Sequence, residues 1–314
     1  MQSISTSVPR TTTVTRSRPM RLRLERIATI VAFLLPAAVL YTMLVIFPVI
    51  QAGYYGFFKW NGLGPATNFV GFENYIRILS DDIFQMAVSH NLLIIVLSVL
   101  IQLPLALFCA LLVNRGLRGR SIFRMIYFLP FVLSEVVTGL IWSFIYHPRA
   151  GLLNWVLRLL FPSFEPPSWL GTPNILVLLC IFVVVTWRYF GYPMILYVAG
   201  LQNIPHEIEE AAQIDGASSL QVVRYIIIPL LGPTIRLTIF FCVLGSLQFF
   251  DLVWVMTQGG PANASNTMAT YMYQHGFLRT QLGYGSSIAV IMFIICFSFS
   301  LFYQNKIMRR DFSI

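Results

Sequence analysis

Charge is scarce in this sequence. Asp, Glu, Lys and Arg make up 11% of its 314 residues, where a soluble domain carries roughly 25%. That excludes an ordinary water-soluble globule. Cysteine is scarce too. Cys109, Cys180, Cys242 and Cys296 lie far apart inside apolar runs, so they read as small buried hydrophobes rather than disulfides or metal ligands. His90, His147, His206 and His275 stand singly, none with a second ligand at metal spacing. The chain has no HExxH and no nucleophile elbow. It also lacks a P-loop, since "GLRGRS" at 116–121 has neither the spacing nor the lysine. Catalysis, a metal and a resident cofactor therefore find no support. If ATP drives this protein, ATP and Mg belong to another chain. No internal repeat is visible, which weighs against an inverted-repeat secondary transporter.

Hydrophobic residues are abundant, at 57%, and several runs reach the roughly 20 residues that cross a bilayer. The spans are expected at about 27–50, 91–113, 125–146, 175–195, 235–256 and 287–303. The fold class is thus an all-α polytopic membrane protein with six transmembrane helices: a tail over 1–26, then a single membrane domain over 27–314. The tail is basic and Ser/Thr-rich, but the apolar run after it is too long for a signal-peptide h-region, so the first span stays uncleaved. Proline recurs in or beside spans, at Pro36, Pro48, Pro104, Pro130 and Pro193. Membrane helices tolerate it when neighbours satisfy the freed carbonyls.

The net charge of +9 could suggest nucleic acid. The arginines instead flank apolar spans, which is a membrane pattern. They favour segments 1–26, 114–124, 201–236 and 304–314 over the intervening loops, so both termini are expected in the cytoplasm. Two outer features stand out. Tyr54, Tyr55, Phe57, Phe58 and Trp60 form an aromatic cluster suited to a lipid interface. "GLLNWVLRLLF" at 151–161 is a short interfacial helix, too short to span.

Two constellations carry the functional reading. The first is "EAAQIDGASSLQVVRYIIIP", Glu210 to Pro229, a polar segment between apolar ones. Pro205, Glu207 and Glu209 suit a helix start, Asp215-Gly216 makes a turn, and a second helix runs from about Ser218 to Ile228. The charge pattern places this hairpin, within a 201–233 loop, inside the cell. The second is a set of ionisable residues within spans, Glu135, Arg188 and Asp251. A charge at mid-bilayer costs about 2.5–3.5 kcal/mol on insertion scales and faces the bundle interior. Trp187, Tyr189, Phe190 and Tyr192 surround Arg188. The set reads either as a polar, aromatic-walled pathway suited to a sugar or as an ion pair of Arg188 with Glu135 or Asp251 that holds the bundle.

The polar segment resembles the EAA signature of permease subunits of ATP-binding-cassette importers: Glu210-Ala211-Ala212, three residues, Gly216, nine residues, then Ile226 and Ile228-Pro229, with Ile228 in place of the usual leucine. "FVGFENYIRIL", "GLLNWVL", "AGLQNIP" and "FDLVWVMTQGGP" are similar to the carbohydrate, maltose-type branch and to its first permease. The extra N-terminal spans of the maltose permease itself are absent. The resemblance implies a type I importer permease fold. It implies ATPase coupling through Glu210, Ala211, Ala212, Asp215, Gly216, Ala217 and Pro229. It also implies a second homologous permease, a cytoplasmic ATPase dimer and an extracytoplasmic solute-binding protein, assembled in a bacterial or archaeal inner membrane. Ungapped alignment from the signature puts the family's sugar site on Arg188, Tyr189, Tyr192, Cys242, Gly245, Ser246 and Phe249. Arg188 and Phe249 differ in type from the maltose permease, so maltose is not the expected cargo, and Arg188 raises an acidic sugar or sugar phosphate as an option. The alternatives are an ion-coupled transporter or channel using Glu135, Arg188 and Asp251, and a membrane scaffold whose hairpin recruits a partner.

Overall fold

The computed structural model describes residues 20–114 and 119–308, with side chains from residue 27 onward except at 120 and 121. Its regular structure is helical, apart from one isolated bridge between Phe58 and Phe69. Three helices are continuous and apolar enough to cross a bilayer: Ile27–Tyr55, Asp82–Asn114 and Leu282–Lys306. Three helix pairs add up to three further crossings, each bent at a break. They are Ile122–Val132 with Glu135–Ile145 (95°), Ile175–Tyr189 with Gly191–Gln202 (40°), and Ser219–Leu230 with Gly232–Leu247 (68°).

The chain divides into two units, residues 1–51 and 52–314. In the first, the helix begins at Met20, not at the Ile27 expected from hydropathy. The tail before it lies outside the described residues. Side chains 27–50 are exposed throughout, the state of a helix that places apolar groups against acyl chains.

In the second unit the span expected at 91–113 starts earlier, at Asp82. Hydropathy misses this start because a cap sets it. The Asp81 carboxylate accepts from Ile83 N at 2.9 Å and Phe84 N at 3.1 Å, satisfying donors that a helix start leaves open. The last span likewise exceeds its expected 287–303, running from Leu282 to Lys306.

Proline explains a recurring irregularity. Wide π turns occupy Thr42–Ile46, Ser98–Gln102 and Val223–Ile227. Each is closed by an i→i−5 bond from the residue immediately before a proline: Phe47 to Thr42, Leu103 to Ser98 and Ile228 to Val223. Proline has no N–H and its ring crowds the carbonyl four residues back. Widening the preceding turn accommodates both problems without ending the helix. The chain thus absorbs Pro48, Pro104 and Pro229 within the helices themselves rather than through neighbours.

Three expected spans are corrected at their breaks. The one at 125–146 is two helices, Arg120–Val132 and Glu135–Ile145, because Leu133 and Ser134 adopt extended backbone with ψ of 146° and 144°. The one at 175–195 continues to Gln202 through a bend at Phe190. The one at 235–256 ends at Leu247 and resumes as Asp251–Thr257. Gly191 permits the bend in the fourth. A Cβ there would clash with the Tyr127 backbone carbonyl, so two helix backbones meet at this point. The core gathers around these breaks. Val177, Ile181, Leu252 and Val253 form one buried cluster, and Ala106, Met194, Tyr197 and Leu231 form another. Close packing, rather than expulsion of water, is what holds such helices together in lipid.

Candidate functional site

A helix end within a bilayer leaves carbonyls that nothing else can hydrate. At the break after Val132 a buried arginine supplies the donors. Arg188, 7% exposed, donates through Nη1 to the carbonyls of Pro130 (2.9 Å), Phe131 (3.3 Å) and Leu133. Its Nη2 lies 3.8 Å from Glu135 Oε1, and the Tyr189 hydroxyl donates to the same carboxylate. The charges complement the helix dipoles, with a cation at the C-terminus of one helix and a carboxylate at the N-terminus of the next. Asp251 starts the Asp251–Thr257 helix, within hydrogen-bonding reach of Glu135. The three ionisable residues are therefore neighbours at helix breaks, not charges midway along continuous spans.

The second break is satisfied by neutral groups. Buried Asn91 donates to the Ser246 carbonyl at 2.6 Å and accepts from Met268 N at 3.0 Å. The Thr267 hydroxyl donates to the Phe249 carbonyl at 2.7 Å. These bonds fix the backbone beyond the end of the Gly232–Leu247 helix and so aim Ser246 and Phe249.

Between the two breaks lies a cavity of about 250 Å³. It brings together Tyr189, Tyr192, Cys242, Gly245, Ser246 and Phe249, residues that the sequence assigned to a pathway from two separate spans. Arg188 is not in its lining, and neither are Glu135 and Asp251. Arg188 Nη1 engages carbonyls and Nη2 lies beside Glu135, the arrangement that the ion-pair reading expects, while Nε has no partner among the described residues. Sequence reasoning missed Ser98, Gln102, Phe131, Thr238 and Phe241, which also line the cavity. Phe131 stacks on Tyr192 with ring centroids 5.3 Å apart, and Tyr192 meets Phe241 edge-on at 6.4 Å. Ser98 and Gln102 carried a signal, being polar residues four apart in an otherwise apolar span.

The polar hairpin folds as two helices, His206–Ile214 and Ser219–Leu230. Pro205 precedes the first, and Glu207 and Glu209 lie in its first turn. Its end is a Schellman motif. The Ala217 N–H bonds to the Ala212 carbonyl at 2.9 Å and the Gly216 N–H to the Gln213 carbonyl at 3.0 Å, with Gly216 at φ +88°. This backbone requires glycine at Gly216, and it brings Ala212 and Ala217 together. Both pack against the cluster around Tyr197 and Leu231. Ser218 then opens the second helix with a capping box, its N–H donating to Gln221 Oε1 at 2.7 Å and its Oγ accepting from Gln221 N. Ala212 and Ala217 thus face inward. Glu210, Ala211, Asp215 and Pro229 are exposed, as are the apolar side chains of Ile214 (86%) and Leu220 (76%).

Comparison with known proteins agrees with this architecture. Residues 102–313 match the family described as binding-protein-dependent transport system inner membrane component. A probable ABC transporter permease protein of Pyrococcus horikoshii is 41% identical over 85% of this chain and 91% of its own length. The diacetylchitobiose uptake system permease protein of Streptomyces coelicolor is 32% identical over 93% of this chain and 86% of its own. The trehalose/maltose transport system permease protein of Thermococcus litoralis is 31% identical over 88% and 93%. In fold, the chain matches a chain of a bacterial ABC transporter involved in import of the acidic polysaccharide alginate, with TM-score 0.81, 21% identity and coverage of 93% and 99%. The chain belongs to the family of inner-membrane components of binding-protein-dependent transport systems, and is a transport component rather than an enzyme.

Proposed function

We propose that this chain forms half of the transmembrane pathway of a sugar importer, for an uncharged sugar or oligosaccharide. The observation that carries the reading is the cavity. Tyr189, Tyr192, Phe131 and Phe249 offer ring faces, and Ser98, Gln102, Thr238 and Ser246 offer neutral hydrogen-bonding groups, with no charged residue in the lining. Aromatic faces and neutral hydroxyl partners in one concave site suit pyranose chemistry. With Arg188 engaged elsewhere, the acidic sugar or sugar phosphate becomes the less favoured cargo. Relatives named for chitobiose and for trehalose or maltose transport support the sugar class, and the family leaves an ion-coupled transporter or a scaffold unsupported.

In this reading the hairpin is cytoplasmic, as are both termini. Glu210, Ala211, Ala212, Asp215, Gly216, Ala217 and Pro229 shape it to dock on one subunit of an ATPase dimer, where ATP and Mg bind. A second, homologous permease supplies the other half of the path, and an extracytoplasmic solute-binding protein delivers the sugar. Closure of the ATPases swings the hairpins as rigid levers and alternates access to the cavity.

Proteoliposomes test this. Labelled neutral sugars should accumulate only when this chain is reconstituted with its second permease, ATPase and binding protein, and with ATP. Uptake by this chain alone, driven by an ion gradient, would overturn the reading.

A further inference from the structure

The π turn at Ser98–Gln102 places two buried polar side chains in the cavity wall. Gln102 is 5% exposed and Ser98 1%, and both line the cavity. Neither is satisfied by the protein. Ser98 Oγ makes no well-formed hydrogen bond and has only the Cys242 thiol within reach, a weak partner. Gln102 makes no side-chain hydrogen bond among the described residues. Burying a hydroxyl unpaired is unfavourable, and the Gln102 amide is left without a protein partner beside the cavity. An apolar residue would serve packing better at both positions. Other buried polar groups also lack a partner, Thr138 and Thr186 among them, but Ser98 and Gln102 both lie on the π turn and both line the cavity.

We infer that Ser98 and Gln102 form a sugar subsite on the second membrane helix, in the same cavity lining as Ser246 and Tyr192, with the Gln102 amide as a determinant of which hydroxyl pattern is accepted. The inference rests on the sugar reading above and adds a wall to it. Gln102 can donate and accept at once, so it would engage a hydroxyl in either sense, and Ser98 would take a second. A site built to bond a hydroxyl discriminates against the analogue that lacks it, because its own polar group is then left unpaired.

The test uses the complete reconstituted transporter with its binding protein, and a panel of neutral sugars with their singly deoxygenated analogues. The variants are Gln102→Met and Ser98→Ala, with Gln102→Asn as a conservative partner. The subsite requires that Gln102→Met lower uptake of the parent sugar by about tenfold, the value of one hydrogen bond. It must also erase the wild-type preference over one particular deoxy analogue. Gln102→Asn should restore part of the preference. A structural role predicts the reverse for stability. Replacing an unpaired buried amide by methionine should leave the thermal midpoint of the complex equal or higher, so a fall in that midpoint alongside lost uptake would overturn the subsite. Wild-type uptake and an unchanged deoxy-sugar profile in both Gln102→Met and Ser98→Ala would also overturn it, with the sugar reading intact. Failure of the wild-type complex to take up any sugar of the panel would instead remove the sugar reading, and the subsite with it.

Discussion

The Arg188 guanidinium and the Glu135 carboxylate, 3.8 Å apart, join the two halves of a broken membrane helix to the helix beside it. The arginine satisfies the carbonyls that the break exposes, and the glutamate sits at the start of the next segment. Arg188→Leu should therefore act on assembly rather than on cargo choice. Removing one partner of a buried pair costs about 3–5 kcal/mol. The expected outcome is a large loss of assembled complex and of its thermal midpoint, with the ratio of neutral to anionic sugar uptake unchanged in what remains. A shift in that ratio would return Arg188 to the pathway. Glu135→Gln should be milder, because the amide still accepts from Tyr189.

Gly191 marks a close helix approach beside the cavity residues Tyr192 and Pro193, where a Cβ would clash with the Tyr127 carbonyl. Gly191→Ala should cost about 1–3 kcal/mol as an overpacked contact. Because Tyr192 and Pro193 follow directly and line the cavity, uptake should fall with stability. Thermal unfolding of the purified complex and uptake measured on the same preparation check both.

His275 gives a pH dependence. It is buried beyond the second break, against the Tyr271 ring at 4.4 Å, with Nε2 3.2 Å from Arg279 Nη1 and Nδ1 3.4 Å from Gln281 Oε1. Burial is the largest effect and pushes its pKa below the ordinary 6.5; the Gln281 hydrogen bond opposes it, Arg279 and Arg77 act with it, and Asp81 against it. The neutral ring accepts from Arg279 and donates to Gln281. Since the folded-state value is the lower one, this stability is fully present above pH 6.5 and is lost as pH falls below it. The thermal midpoint of wild type should drop between pH 7 and 5.5 by more than that of His275→Gln. Parallel profiles would refute the assignment.

Sequence patterning carried the helical class, the membrane and the hairpin, because each depends on composition or short-range chemistry, whereas the six cavity residues named from the sequence came from the family resemblance. Gly216 is legible because its left-handed backbone favours one residue type. The breaks were not legible. Leu133 and Ser134 interrupt a span that hydropathy reads as continuous, and the stabilising donor, Arg188, is remote in sequence from the carbonyls it satisfies. Hydropathy also hid Ser98 and Gln102, since two polar residues barely lower the mean of so apolar a run. The Asp81 cap shows the converse: a local signal placed a helix start that the apolar run alone placed too late.

The central claim is that the hairpin transmits ATPase motion to the cavity, and its most direct measurement is sugar transported per ATP hydrolysed by the complete complex in proteoliposomes. Gly216→Pro forces φ near −65° where the turn needs +88°, and Glu210→Lys reverses an exposed charge on the docking face. Both variants should insert and assemble, retain ATP hydrolysis and lose most uptake, so that the ratio collapses. A wild-type ratio in both variants would contradict the coupling role of the hairpin.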